Sequence, residues 1–218
     1  EVLLERTGDV LKLEEGELRQ MRLDRMALIP QGAMNSLNPV MRIRDQIADG
    51  IRTHVPNISR DEVRKRIKSQ LERVGLAADV GGKFPHELSG GMKQRVAIAI
   101  GTSLSPSVII ADEPTTALDV TTQRQYLDLL KELQSATGMA IIFITHDISI
   151  VGNLCDKLAV VYGGLVVEYG PKDQVLNHPS HPYTEALLQA LPTLGEKVDR
   201  LRTIPGDPPH AGSLPEGC

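Results

Sequence analysis

Two carboxylates close an apolar run in this chain, Val108-Ile109-Ile110-Ala111-Asp112-Glu113-Pro114. A serine and two glycines open another stretch, Leu88-Ser89-Gly90-Gly91-Met92-Lys93-Gln94-Arg95. An apolar strand that ends in acids delivers them to the C-terminal edge of a sheet, where α/β proteins place ligands. There Asp112 can hold Mg²⁺, a hard cation that takes one or two carboxylates and keeps several waters. Glu113 is placed to accept a proton from an attacking water. Ser-Gly-Gly at a helix start offers unpaired N–H groups and partial positive charge to a phosphate, with no side chain in the way. Each element alone also has a plainer reading. Two acids at a strand end are commonly just solvated, and Ser-Gly-Gly is commonly an ordinary N-cap.

Three further residues fall in register with these. Gln31 follows the apolar run Met26-Ala27-Leu28-Ile29, His146 follows the run ending at Ile144, and Asp119 follows Pro114-Thr115-Thr116-Ala117-Leu118. His146 can hydrogen-bond a terminal phosphate and position a nucleophile. Asp119 is also a natural N-cap for the helix after it. By themselves a glutamine after a strand is a surface amide and a histidine at a strand end a satisfied one. Here their order and spacing along the chain argue otherwise.

The elements that must position these groups can be read from periodicity and punctuation. Thr7-Gly8-Asp9 reads as a turn, followed by a helix over Glu14–Arg22. Met26–Ile29 is a strand ended by Pro30, and Gln31–Pro39 a polar loop. Ile43–His54 and Arg60–Val74 have helical periodicity. Ser59 and Glu62 form the pattern of a capping box, and Gly75 ends the second helix. Ala77–His86 is a connector, and Ser89 opens a helix to about Leu104. Then come strand Val108–Ala111, helix Val120–Ser135 and strand Met139–Ile144, the last expected to be buried on both faces. A short helix over Asp147–Leu154 precedes Leu158–Tyr162 and Leu165–Tyr169, which flank Gly163-Gly164 as a hairpin. Glu185–Leu191 reads as a short helix and Thr203–Cys218 as an aperiodic Pro/Gly-rich tail. Strand–helix alternation with solid apolar strands indicates an α/β fold with a mostly parallel sheet. A helical lobe is expected over about 40–104.

Composition narrows the function class. The 218 residues carry a net charge of −4 and 3% aromatics without tryptophan, which argues against a nucleic-acid partner. The longest apolar runs are too short to cross a bilayer. Two cysteines, Cys155 and Cys218, give no disulfide framework. Cys155 reads as a buried core thiol. His178 and His181 are three apart and, with prolines at 179 and 182, read as loop residues rather than a metal pair.

Taken together, Leu88–Arg95 resembles the signature motif of ABC-type ATPases, and Val108–Asp119 their Walker B motif and D-loop. Met34-Asn35-Ser36-Leu37-Asn38-Pro39, His181-Pro182-Tyr183-Thr184 with Leu187-Leu188, and Ile204-Pro205-Gly206 are similar to one branch, the ATP-binding subunits of oligopeptide/dipeptide (and nickel) importers. The resemblance implies a P-loop NTPase (RecA-like) core over residues 1–170 and a C-terminal extension over 171–218. It implies ATP and Mg²⁺ as ligands, with Ser89, Gly90, Gly91, Lys93 and Asp119 at the nucleotide. Asp112 and Gln31 would attend the metal, and Glu113, His146 and Gln31 the chemistry. Implied partners are a second ABC ATPase subunit (identical or paralogous), permease subunits, and indirectly an extracytoplasmic solute-binding protein. The implied location is the cytoplasmic face of the inner membrane. Leu214–Cys218 resembles the start of a cysteine-containing segment that in some members holds an iron–sulfur cluster. Four thiolates are required for one, and this segment supplies one.

The chain departs from the branch where Phe-Gln-Asp-Pro is usual and Pro30-Gln31-Gly32-Ala33 stands here. The phosphate-cradling Walker A pattern G-x-x-x-x-G-K-[ST] is not among these residues. Gly82-Lys83 is followed by Phe84 and is not such a loop. Family order places it before Glu1, so the 218 residues alone are expected to show no ATP turnover and to leave apolar sheet edges uncovered. Two other classes share part of this pattern. Chromosome-maintenance ATPases share these motifs but insert long coiled coils, for which the Gln31–Ser89 interval is too short and lacks heptads. A degenerate partner subunit contributing only its signature motif gains weight from the absent loop and loses it from the intact Gln31, Glu113 and His146.

Overall fold

The computed structural model describes residues 3–4, 8–116, 118–152, 154–190 and 204. They divide into two compact units, Glu1–Thr145 and His146–Cys218.

In the first unit, strands β1 (Leu3–Leu4) and β2 (Gly8–Asp9) pair antiparallel. Gly8-Asp9, expected as part of a turn, pairs as a short strand, although Gly8 has a left-handed φ of 82°; Thr7 lies outside the described residues. Asp9 then caps a 3₁₀ turn, Val10–Lys12. Helix α1 (Glu15–Met21) follows, starting at Glu14 with Glu17 returning its carboxylate to the Glu14 N–H at 3.0 Å. Strand β3 (Met26–Ile29) ends where the proline predicts.

The Gln31–Pro39 segment is not wholly a loop. Gly32, at φ 66°, turns the chain into a one-turn helix α2 (Ala33–Ser36), closed by Ser36 Oγ donating to the Ala33 carbonyl at 2.7 Å. Four residues are too few for periodicity to reveal. Helix α3 (Ile43–His54) buries Ile43, Ile47 and Ile51, one apolar stripe at helical spacing. Helix α4 (Arg60–Arg73) buries Val63, Ile67, Gln70 and Leu71. Ser59 Oγ accepts the Glu62 N–H at 3.1 Å, and Glu62 itself pairs with Arg66 at 3.3 Å. The connector 77–86 is not featureless: it contains the 3₁₀ turn Ala78–Gly82 and the start of a second, Pro85–Glu87.

Helix α5 (Gly90–Gly101) is buried chiefly over its C-terminal half, with Val96 and Ile98 fully covered. Two long-range ties fix it to α4. Arg95 Nη1 donates to the Val74 carbonyl at 2.7 Å, and the Gln70 amide donates to the Thr102 carbonyl at 3.2 Å. Helices α3, α4 and α5 pack against one another, and α5 also packs on β3, where a side chain on Gly101 would meet Ile29 at 3.6 Å.

Strands β4 (Val108–Asp112) and β5 (Ala140–Ile144), bridged by helix α6 (Val120–Thr137), complete a parallel sheet in the order β3-β4-β5 among the described residues. Register runs Ile29 to Ala111 and Asp112 to Ile144. Ala27, Ile29, Ile109 and Ala111 are buried. The opposite face is open: Leu28, Ile142 and Ile144 are 60%, 52% and 46% exposed. Strand β5 is thus not buried on both faces. Its continuous apolar run carried that expectation, but burial depends on what lies across each face, which the run does not encode.

In the second unit, helix α7 (Ile148–Val151) starts at Asp147, whose carboxylate accepts the Ser149 N–H at 3.0 Å. Strands β6 (Lys157–Tyr162) and β7 (Leu165–Pro171) form the expected hairpin. Gly163 and Gly164 have φ of 56° and 81°, positive at both central positions as a type I′ turn requires. Helix α8 (Lys172–Asn177), missed by periodicity, buries Val175. Helix α9 (Pro182–Gln189) starts earlier than expected, with His181 as N-cap accepting the Tyr183 N–H at 3.1 Å. Cys155 is half-buried rather than a core thiol, and burial pushes its pKa up. Leu191, Pro205, Gly206 and Leu214–Cys218, with Cys218, lie outside the described residues.

Candidate functional site

The parallel pair β3–β4 sends two candidate residues out of one edge of the sheet. Because Ile29 is level with Ala111, Gln31 and Glu113 each lie two residues beyond paired positions. Asp112 is the last residue of β4 and half-buried, while Gln31 is exposed. The turn after β4 is tightly determined. Glu113 adopts φ 45°, a left-handed conformation that costs a non-glycine residue about 1–3 kcal/mol. Its N–H donates to the Ile144 carbonyl at 3.0 Å, and its carbonyl accepts the Thr116 N–H at 3.2 Å. Its Oε2 accepts the Thr116 hydroxyl at 2.9 Å.

Ser89 is the N-cap of α5, its Oγ accepting the Met92 N–H at 3.3 Å. Gly90 and Gly91 form the first turn, where backbone N–H groups have no intrahelical acceptor. A Cβ on Gly90 would meet Met34 Sδ of α2 at 3.2 Å, and one on Gly91 would meet Thr122 Cγ2 of α6 at 3.4 Å. The glycines therefore keep a narrow cradle open between α2 and α6. It belongs to a cleft of about 510 Å³ lined by Met34, Ser89, Gly90, Gly91, Asp119 and Tyr126 among others. Lys93 is half-buried and does not line it.

Asp119 caps α6, Oδ1 accepting the Thr122 N–H at 2.9 Å and Oδ2 its hydroxyl at 2.7 Å. Those Thr122 hydrogen bonds, the hydroxyl's foremost, hold its carboxyl below the ordinary range. It is thus ionised and fixed at the cleft rim. His146, exposed, opens the second unit two residues after β5.

Three residues that motif reading did not single out shape the site. Met34 packs on the cradle from α2. Tyr126 is 4% exposed, and burial drives its hydroxyl far up in pKa. It stands in the stripe Tyr126, Leu127, Leu130, Leu133, whose helical spacing marks it as inward-facing. Gln94 is 4% exposed, and its Nε2 donates to the Pro114 carbonyl at 3.1 Å. It lies between Lys93 and Arg95, so the sequence gives no sign that it is buried; in the structure it is the one polar side chain among the buried residues of α5.

The donor set fits a phosphate ester and a hard cation. Unhindered first-turn amides and a hydroxyl face the cleft, and oxygen ligands stand at the sheet edge. Residues 3–116 match the ABC transporter family, slightly over half of the chain.

This chain belongs to the ABC transporter ATP-binding family.

Residues 167–218 further match the oligopeptide/dipeptide transporter C-terminal region. This ABC protein is 49% identical over 212 residues to the Escherichia coli K12 protein named "Probable D,D-dipeptide transport ATP-binding protein DdpD", covering 96% of this chain and 64% of that one. It is 42% identical over 211 residues to the dipeptide transport ATP-binding protein DppD of Caldanaerobacter subterraneus subsp. tengcongensis, covering 96% and 65%. The chain thus spans just under two thirds of the length of these curated relatives. Among solved structures it is similar to cbiO1 of Clostridium perfringens, part of the ABC transporter complex cbiONQ. The TM-score is 0.67 and identity 32%, with 76% of this chain and 64% of that one covered. It is also similar to the dimeric ATP-binding cassette MJ0796 bound to ADP and Pi, with a TM-score of 0.64, 30% identity, and 73% and 68% covered. The α/β architecture is that of ABC ATPase cassettes, a family that binds ATP and Mg²⁺. No described helix is long and apolar enough to cross a membrane.

Proposed function

We propose that this chain is the ATP-hydrolysing subunit of an importer for short peptides. It would work with a second ABC subunit and membrane-embedded permease subunits at the cytoplasmic face of the membrane. An extracytoplasmic solute-binding protein would deliver the cargo. The observation that carries the reading is the pairing, in one compact unit, of the Asp112-Glu113 strand end with a glycine cradle at the start of α5. The C-terminal match over residues 167–218 and the names of the relatives support peptides as cargo. We take residues 1–170 as the ATPase portion and 171–218 as the extension.

In this reading Ser89, Gly90 and Gly91 donate hydrogen bonds to the terminal phosphate of an ATP held chiefly by the second subunit, with Lys93 adding positive charge to the same helix. Asp112 and Gln31 would hold Mg²⁺, which neutralises phosphate charge when bound. Glu113 takes the proton as a water oxygen attacks the terminal phosphorus and the bond to the leaving diphosphate breaks. Asp119 stands at the rim of the subunit interface. His146 is assigned its phosphate hydrogen bond on the sequence alone. An iron–sulfur cluster forms no part of this proposal.

The test is Mg²⁺-dependent ATP hydrolysis and radiolabelled dipeptide uptake by the full-length gene product reconstituted with its permease. Hydrolysis and uptake should both vanish in Glu113→Gln. Uptake that persists without Glu113, or hydrolysis that never responds to peptide, would refute the proposal.

A further inference from the structure

Gln94 has two unusual features together. It is the one polar side chain among the buried residues of α5, and only one end of its amide is satisfied. The Pro114 carbonyl can only accept, so the nitrogen must face it, and the bond measures 3.1 Å. Oε1 then has no partner among the described residues. An amide kept for stability alone would be a poor choice here, because an unpaired buried acceptor costs free energy that an apolar side chain of equal volume would not.

What Gln94 joins explains its presence. Gly90 and Gln94 are four residues apart on α5 and share one face. That face carries the glycine cradle at its tip and the Pro114 contact one turn below. Pro114 directly follows Glu113, whose left-handed backbone needs outside support. The turn is also bonded to β5, within itself, and to α6, whose Gln123 Nε2 donates to Thr115 Oγ1 at 3.5 Å. Gln94 alone, among the described residues, supports it from the helix that carries Ser89-Gly90-Gly91.

We propose that Gln94 is a positioning residue that couples the glycine end of α5 to the Glu113 turn. Displacement of the cradle by a phosphate then reaches the base through one hydrogen bond. The inference rests on the ATPase reading above, since it gives the coupling a reaction to serve.

The test uses Gln94→Met and Gln94→Ala in the full-length gene product. Methionine keeps the volume and removes both the Pro114 bond and the orphaned oxygen, so its thermal midpoint should stay within about 4 °C of wild type. Exchange of the Thr116 amide, measured without nucleotide, should rise about tenfold in both variants, with α4 amides unchanged. The kcat for ATP should fall about tenfold while KM stays within about twofold. Wild-type exchange at Thr116 overturns the proposal. So does a wild-type kcat in Gln94→Met, which would leave Gln94 a packing residue. Wild-type protein lacking any Glu113-dependent hydrolysis overturns instead the ATPase reading, and with it the role of the coupling, even if Thr116 exchange responds.

Discussion

Thr116 Oγ1 donates a 2.9 Å hydrogen bond to Glu113 Oε2, closing on its own side chain a turn whose first residue stands at φ 45°. The carboxylate is thereby aimed before any ligand arrives, and pre-orientation of a base is worth most when nothing need reorganise during the reaction. Thr116→Val keeps the shape and removes the donor. The kcat for ATP hydrolysis should fall about fivefold, the weight of one ordinary hydrogen bond, with KM unchanged. Glu113→Gln should lower it at least about a hundredfold, as expected for a lost general base. A Thr116→Val protein as fast as wild type would show that the bond does not aim the base.

Gly91 separates folding from function. It lies in the first turn of α5, where a carboxylate complements the helix dipole and aspartate is a better helix former than glycine. Gly91→Asp should therefore leave the thermal midpoint unchanged or slightly raised, provided Thr122 Cγ2, 3.4 Å from the new Cβ, shifts by a few tenths of an ångström. In the proposed role the same change sets a negative charge where a phosphate must sit, and hydrolysis should be lost. A stable Gly91→Asp protein with normal turnover would remove the cradle from the site.

Strand β3 and helix α3 were legible to the residue, because a proline ends one and an isoleucine stripe defines the other. The N-caps Ser59, Ser89 and Asp119 were legible for the same reason: capping is a local bargain between a side chain and the next turn. Burial was not local, and β5 shows it. Ile142 and Ile144 sit in as apolar a run as Ile109 and yet face outward. Likewise the candidate residues announced themselves by motif, whereas their supports stand inside the same motifs with nothing local to mark their roles. Gln94 and Thr116 matter through one partner each, and one of those partners, Pro114, lies 20 residues from Gln94. Helix α2 was hidden because a single turn shows no period, although it brings Met34 to the cradle.

The packing of α4 on α5 hinges on a buried polar pair. Gln70 Nε2 donates to the Thr102 carbonyl at 3.2 Å, and the Thr102 hydroxyl, donating to the Ile98 carbonyl at 2.8 Å, lies 3.3 Å from Gln70 Oε1. Both residues are under 7% exposed. Thr102→Val should destabilise by about 1 kcal/mol, because it removes the hydroxyl that donates to the Ile98 carbonyl and leaves Gln70 Oε1 facing a methyl group. Gln70→Leu combined with Thr102→Val should recover much of that loss. Urea unfolding of the four proteins gives the coupling directly, and additive single effects would mean the pair does not act as a unit.

Glu168 of β7 fastens the start of α9 inside the second unit. Its carboxylate accepts the Ser180 N–H at 2.8 Å and the His181 N–H at 3.2 Å, while the Tyr162 and Tyr183 rings meet at 4.6 Å. The Ser180 bond above all holds its carboxyl below the ordinary 4.5, with the nearby His181 acting in the same direction. The folded unit thus prefers the ionised form. Its contribution is fully present above pH 4.5 and disappears as pH falls through the lower folded value. Protection of the Ser180 and His181 amides, corrected for intrinsic exchange, should therefore hold at neutral pH and decline on acidification. In Glu168→Gln, an uncharged acceptor with no proton to gain, protection should be weaker at neutral pH and flat across the acid range. If the variant kept wild-type protection and its acid decline, some other group would be holding α9.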